Sequence, residues 1–117
     1  MSAHRIHHDL YSAPKLLADP GNAGTIRPAA DLLICEMVST TAETRTLASP
    51  TKAGIRFVLR LLTDGGNVTV TAADGLNVSL NTVATFADES DLLSLISVST
   101  SSGYRWQIEA NLGVTLA

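Results

Sequence analysis

The sequence predicts an all-β fold: a small antiparallel β-sandwich or barrel of about eight short strands, behind an extended N-terminal arm. Three observations predict it. First, Val68-Thr-Val70-Thr71 and Leu76-Asn-Val78-Ser-Leu80 alternate apolar and polar residues with period two. The turn between them ends in Asp74-Gly75, so the pair reads as a hairpin with one buried face. Second, residues 104–110 alternate cleanly, with Tyr104, Trp106, Ile108 and Ala110 on one face and Arg105, Gln107 and Glu109 on the other. Third, turn signals such as Asp64-Gly65-Gly66, Thr100-Ser-Ser-Gly103 and Asn111-Leu-Gly113 punctuate the chain at short intervals.

Residues 1–28 stand apart. They hold all three histidines, together with Pro14, Pro20, Pro28, Gly21 and Gly24, and few β-branched side chains. This composition reads as an extended arm, with a short helical turn near residues 13–18, that orders on a partner or else remains a tail. Residues 29–117 form the β-domain. Residues 32–38 are an apolar run interrupted by Glu36, and read as a buried strand. Residues 40–43 are a polar turn, and residues 44–47 alternate weakly up to Ser49-Pro50. Residues 55–62 fit both a strand and one face of a helix. Their length and the flanking Gly54 and Gly65-Gly66 favour a strand. Residues 82–86 and 92–98 are strands joined by the acidic connection 87–91, and residues 114–116 form a last strand tied into a sheet.

With 117 residues the chain is one domain with a thin core. It is 45 % hydrophobic but only 4 % aromatic, so Leu, Val, Ile and Ala fill that core and favour closely spaced sheets over a wide ligand cavity. Charged residues are 16 %, below the usual quarter, and the net charge is −3 with no basic block. That balance argues against a nucleic-acid binder. A charge-poor, Thr-rich surface suits a protein covered by other protein, although Thr also has high β-propensity of its own. Cys35 is alone in an apolar run and reads as a buried structural thiol. The N-terminus does not read as a signal peptide, and no run is long enough to cross a membrane. The expected place of synthesis is a reducing cytoplasm.

Few residues suggest chemistry. His4, His7, His8 and Asp9 carry metal-ligand atoms but sit on the arm without fixed geometry. Asp88, Glu89 and Asp91 lack the ordered spacing of a calcium loop and read as a solvated turn. Asp64, Asp74 and Glu109 are paired carboxylates only in imagination. No nucleophile elbow, phosphate loop or Cys–His pairing appears. The expectation is therefore no enzyme, no catalytic residue, no metal and no cofactor. Tyr104 and Trp106 could stack on a sugar ring, but a pair at i, i+2 in an aromatic-poor domain reads first as core.

The segment Ala42-Glu-Thr-Arg-Thr-Leu-Ala-Ser-Pro-Thr51, then Thr63-Asp-Gly-Gly-Asn-Val-Thr-Val-Thr71, Ala84-Thr-Phe-Ala-Asp88, Tyr104-Arg-Trp106 and Asn111-Leu-Gly-Val-Thr-Leu116 carry a resemblance. Over roughly residues 32–117 the chain resembles small virion proteins of tailed bacteriophages: capsid decoration (cement) proteins or head-fibre-like proteins. The resemblance implies a homotrimer on the outer capsid surface, assembled in the bacterial cytoplasm, that bridges major capsid protein subunits and stabilises the shell. It implies no nucleic-acid or membrane partner and carries no catalytic residue. On this reading the capsid-binding arm presents Leu10, Tyr11, Leu16, Leu17 and Ile26 as apolar anchors, with Arg5 and Arg27 toward acidic capsid surface. The alternatives are a fibre module touching a host glycan through Tyr104 and Trp106, and a hydrolase of cell-wall sugar.

Overall fold

The chain winds back and forth between two β-sheets, a path that alternation alone did not disclose. The structure, a computed structural model, describes residues 14–117. Its strands are β1 (Lys15–Leu16), β2 (Gly24–Ile26), β3 (Leu33–Val38), β4 (Glu43–Leu47), β5 (Arg56–Thr63), β6 (Val68–Thr71), β7 (Val83–Phe86), β8 (Leu92–Thr100), β9 (Gly103–Leu112) and β10 (Thr115–Leu116). Sheet I has the order β1-β3-β5-β8-β9 and sheet II the order β10-β7-β6-β4-β2. The two five-stranded sheets form an all-β sandwich.

The first six strands alternate between the sheets. Each returns parallel to the strand two before it: β1, β3 and β5 in sheet I, and β2, β4 and β6 in sheet II. This is three turns of a flattened coil. The rest of the chain closes it with antiparallel pairs, β6 with β7, β5 with β8, β8 with β9 and β7 with β10. The sandwich is thus mixed rather than wholly antiparallel, with ten strands rather than about eight. Parallel neighbours lie far apart in sequence, and period-two alternation looks the same for either pairing sense.

Inward residues of both sheets make one core. Cys35, Met37, Phe57, Leu59, Leu93 and Leu95 face inward from sheet I, and Ile26, Leu47, Val68, Val70, Ala84 and Phe86 from sheet II. The strand reading of residues 55–62 holds: Phe57, Leu59 and Leu61 alternate with outward Val58, Arg60 and Leu62. Trp106 is fully buried, its ring tilted against Phe57 at 6.1 Å between centroids. Its indole N–H donates to the Ala48 carbonyl at 2.9 Å, tying sheet I to the end of β4. Ser97 also points inward, and its hydroxyl accepts the Ile55 amide at 2.7 Å.

The expected hairpin partner was wrong. β6 pairs with β7, not with residues 76–80, and residues 72–82 form a loop between them. The Asp74-Gly75 turn exists, closed by the Gly75 amide on the Ala72 carbonyl. Gly75 has φ +108°, and a Cβ there would run into the Val78 carbonyl, so no other residue fits. Beyond the turn the backbone leaves the sheet: Val78 sits at φ +58° and donates its amide to the Trp106 carbonyl at 2.7 Å. The loop therefore crosses from sheet II to the β9 edge of sheet I. Leu76 is buried beneath it, and Leu80 is 79 % exposed. A strand would have put both on one face.

The arm boundary also moves. Residues 15–16 and 24–26 are strands in opposite sheets, so the coil begins well before residue 29. The helical turn expected near residues 13–18 is instead β1, where Lys15 and Leu17 donate to the Leu32 and Ile34 carbonyls. Proline-rich composition disguised these short edge strands, which need few β-formers because each has one partner.

Leu76→Ala is expected to lower the unfolding free energy by about 3 kcal/mol. Leu80→Ala is expected to change it by less than about 0.5 kcal/mol. Urea denaturation of the two variants measures the difference, and equal effects would restore the strand reading.

Candidate functional site

Reading outward from the core, three features remain that packing alone does not explain: a buried ion cluster and two outer sheet faces of opposite character.

The cluster centres on Arg45, whose side chain is fully buried on the inner side of β4. Its Nε donates to Asp19 Oδ1 at 2.7 Å and its Nη2 to Asp19 Oδ2 at 2.9 Å, a two-pronged fork. Nη1 donates to Glu43 at 3.0 Å, and Nη2 also reaches the Val38 carbonyl at 3.1 Å. Asp19, on the link between β1 and β2, accepts the amides of Val38 (2.9 Å) and Gly21 (3.1 Å) as well. Among the described residues no buried side-chain nitrogen or oxygen lacks a partner. Burial pushes the Asp19 carboxyl up, but the Arg45 guanidinium and the two amides more than offset this and hold it below the ordinary carboxylate value. The Thr40 amide, with Arg45, lowers Glu43 likewise. The Asp19 hydrogen bond raises Arg45 in turn. Each guanidinium nitrogen and each oxygen of the two carboxylates has a partner within the chain, so the cluster is a clasp: it joins β4 of sheet II to β3 of sheet I and to the β1–β2 link.

Asp19-Pro-Gly-Asn22 and Asp64-Gly-Gly-Asn67 share one local contact: Asp19 accepts the Gly21 amide and Asp64 the Gly66 amide, each at 3.1 Å. Their backbones differ, Gly21 having a φ of +81° and Gly66 no positive φ, and Asn22 stands two residues before β2 whereas Asn67 directly precedes β6. Asp19 falls within the expected arm and Arg45 in the weakly alternating stretch 44–47, and neither is marked by the sequence as part of a site.

The outer face of sheet II is a hydroxyl lattice. Register aligns Thr44, Thr69, Thr85 and Thr115 in one row and Thr25, Thr46 and Thr71 in the next. The threonine content is therefore spatially ordered, which composition could not reveal.

The outer face of sheet I is apolar. One row runs Leu16, Ile34, Val58, Ser94, Ala110, and the next Glu36, Arg60, Leu92, Leu112. Ile96 and Val98 extend it along β8. Leu16 is 72 % and Leu112 64 % exposed, while Ile34, Val58, Leu92, Ile96 and Val98 are half-buried by each other. Most of its charges are paired in place, Arg60 with Glu36 at 3.0 Å and Arg56 with Glu109 at 3.1 Å, while Arg105, opposite Val98 on β9, has no carboxylate partner among the described residues. The register shift opposite Ser94 and Leu95 turns Glu109 and Ala110 to this outer side. The expected alternation of residues 104–110 accordingly breaks at Ala110.

The anticipated site residues separate. Arg5, Leu10 and Tyr11 lie outside the described residues, as do His4, His7, His8 and Asp9. Leu16 stands open at the edge of sheet I, Leu17 packs partly on the core, and Arg27 is exposed. Ile26 is 1 % exposed and belongs to the core, so it cannot anchor an arm to a partner. The stacking platform dissolves, because Trp106 is sealed inside and only Tyr104 is accessible. Asp64, Asp74 and Glu109 are dispersed, bonded to Gly66, Ser49 and Arg56 respectively. Asp91 is no solvated turn residue: it is buried and accepts the Ala87 and Asp88 amides, each at 3.0 Å. Cys35 is buried as expected, and loss of water pushes its thiol up to about 11. No known protein family matches the chain, and no curated protein matches it.

Asp19→Asn is expected to cost about 3 kcal/mol at neutral pH, because it removes the two-pronged one of the two carboxylates that compensate the buried Arg45. The Asp19 carboxyl titrates lower in the folded chain than in the unfolded one, so its contribution is present above about pH 4 and is lost as pH falls through the lowered folded value. The stability gap between the wild type and D19N should then narrow below about pH 4. Denaturation curves across acidic pH test this, and a gap independent of pH would refute it.

Proposed function

We propose that this chain is a structural virion protein: a decoration or cement protein that binds the outer surface of a tailed-phage head as a homotrimer and bridges major capsid protein subunits. The supporting observation is the outer face of sheet I. A sandwich with a complete internal core still presents a largely aliphatic outer surface on which Arg56 and Arg60 are paired with carboxylates of the same chain, and such a surface suits cover by protein. The resemblance of residues 32–117 to decoration proteins names the setting. Attachment to the assembled shell alone would stabilise it by linkage, and several arms on one particle would reinforce weak contacts through effective concentration.

The strand assignments shorten the arm. Residues 14–28 contribute β1, β2 and Asp19 to the sandwich, so the capsid-binding arm of this proposal is cut back to residues 1–13, with Arg5, Leu10 and Tyr11, and Leu16 adds an exposed apolar side chain at the sheet edge. Arg27 remains available as a surface charge.

Deleting residues 1–13 should leave a folded assembly of unchanged stoichiometry that no longer co-sediments with phage capsids lacking their own decoration protein. Full occupancy of those capsids by the truncated protein would refute the arm assignment. Failure of the intact protein to bind any capsid would refute the function.

A further inference from the structure

We infer that the outer face of sheet I is the surface through which copies of this chain join one another. The inference deepens the reading above by naming the contact, and it rests only on the self-assembling part of that reading.

Three observations select a second copy as the occupant. The first is area. Strands about 4.8 Å apart that rise about 3.3 Å per residue give this sheet a face of roughly 600 Å². Three such faces turned toward one three-fold axis together cover about 1,800 Å², within the range of a stable specific interface. The second is composition. The middle of the face, around Ile34, Val58, Leu92 and Ile96, is aliphatic and half-buried already, so little side-chain freedom is left to lose on association. The third is charge. Arg60 and Arg56 are neutralised by Glu36 and Glu109 of the same chain. Arg105, opposite Val98 on the edge strand, is a single cation without a carboxylate partner among the described residues, so no cluster of unpaired charge at the centre of the face asks for an oppositely charged partner or repels an identical face there. The outer face of sheet II offers hydroxyls instead, which water satisfies equally well.

Val58 lies near the centre, flanked along its strand by Arg56 and Arg60 and across it by Ile34 and Ser94. Val58→Glu places a carboxylate between two arginines, a substitution the single chain tolerates but an apolar contact does not. Thr69→Glu is the matched control at the centre of sheet II's outer face. Sedimentation equilibrium of the full chain should give a multimer for the wild type and for T69E, and self-association weakened about thirtyfold or more for V58E. Circular dichroism should show the fold retained in both. Leu112→Asp, at an exposed position, should weaken association in the same direction without touching the core. A multimer undisturbed in V58E and L112D would overturn the assignment while leaving an oligomeric virion protein intact. A wild type that stays monomeric at high concentration would overturn the assignment and the oligomer together. Capsid co-sedimentation, read separately, reports on the function alone.

Discussion

The fold depends on a charge that has been taken out of water and fully compensated. Arg45 is buried in a thin sandwich whose aliphatic residues could have filled the same space. A buried guanidinium is tolerable only when its donors are met, and here two carboxylates and a main-chain carbonyl meet them. The consequence is geometric. The partners come from the β1–β2 link, the end of β3 and β4 itself, so satisfying Arg45 requires the first coil to close against the second. Apolar contacts alone forbid a slip of one residue, which would turn the core side chains outward, but leave a slip of two open. A fork of hydrogen bonds has one register.

Once the coils are held in that register, the surfaces follow. Parallel in-register stacking sets equal positions of successive coils side by side, so a sequence preference becomes a row. Threonine at alternate positions of β4 and β6 becomes a two-dimensional array of hydroxyls, and aliphatic residues at the outward positions of β3, β5 and β8 become a continuous apolar face. The antiparallel half then seals the sandwich. The loop 72–82 lays Leu76 into the core and bonds to the β9 edge, and Trp106 bonds back across to Ala48. The result is a small body with two unlike faces, which suits a protein that works by contact rather than by chemistry.

Much of this was legible in the residues. The all-β class, the strand at 55–62 despite its helix-like spacing, the last strand's attachment and the buried state of Cys35 all follow from alternation, turn residues and hydropathy. These are local properties, and local physics reports them. The misreadings share one cause. The hairpin partner of β6, the strands at residues 15–16 and 24–26, and the placement of Ile26 each depend on a pairing between segments distant in sequence. Trp106 shows the limit from the other side: the sequence places it on an apolar face but does not say whether that face meets another sheet or a ligand.

By itself, then, the sequence determined most of the longer strands, which side of them is apolar, and where the chain turns, because backbone preference and side-chain alternation act over a few residues. Only the tertiary structure decided which strands are neighbours, that Arg45 and Asp19 meet, and that the outward aliphatic residues of sheet I form one surface. Those outcomes depend on the register between coils some twenty residues apart, and register is set by the sum of packing and buried hydrogen bonds across the whole sandwich.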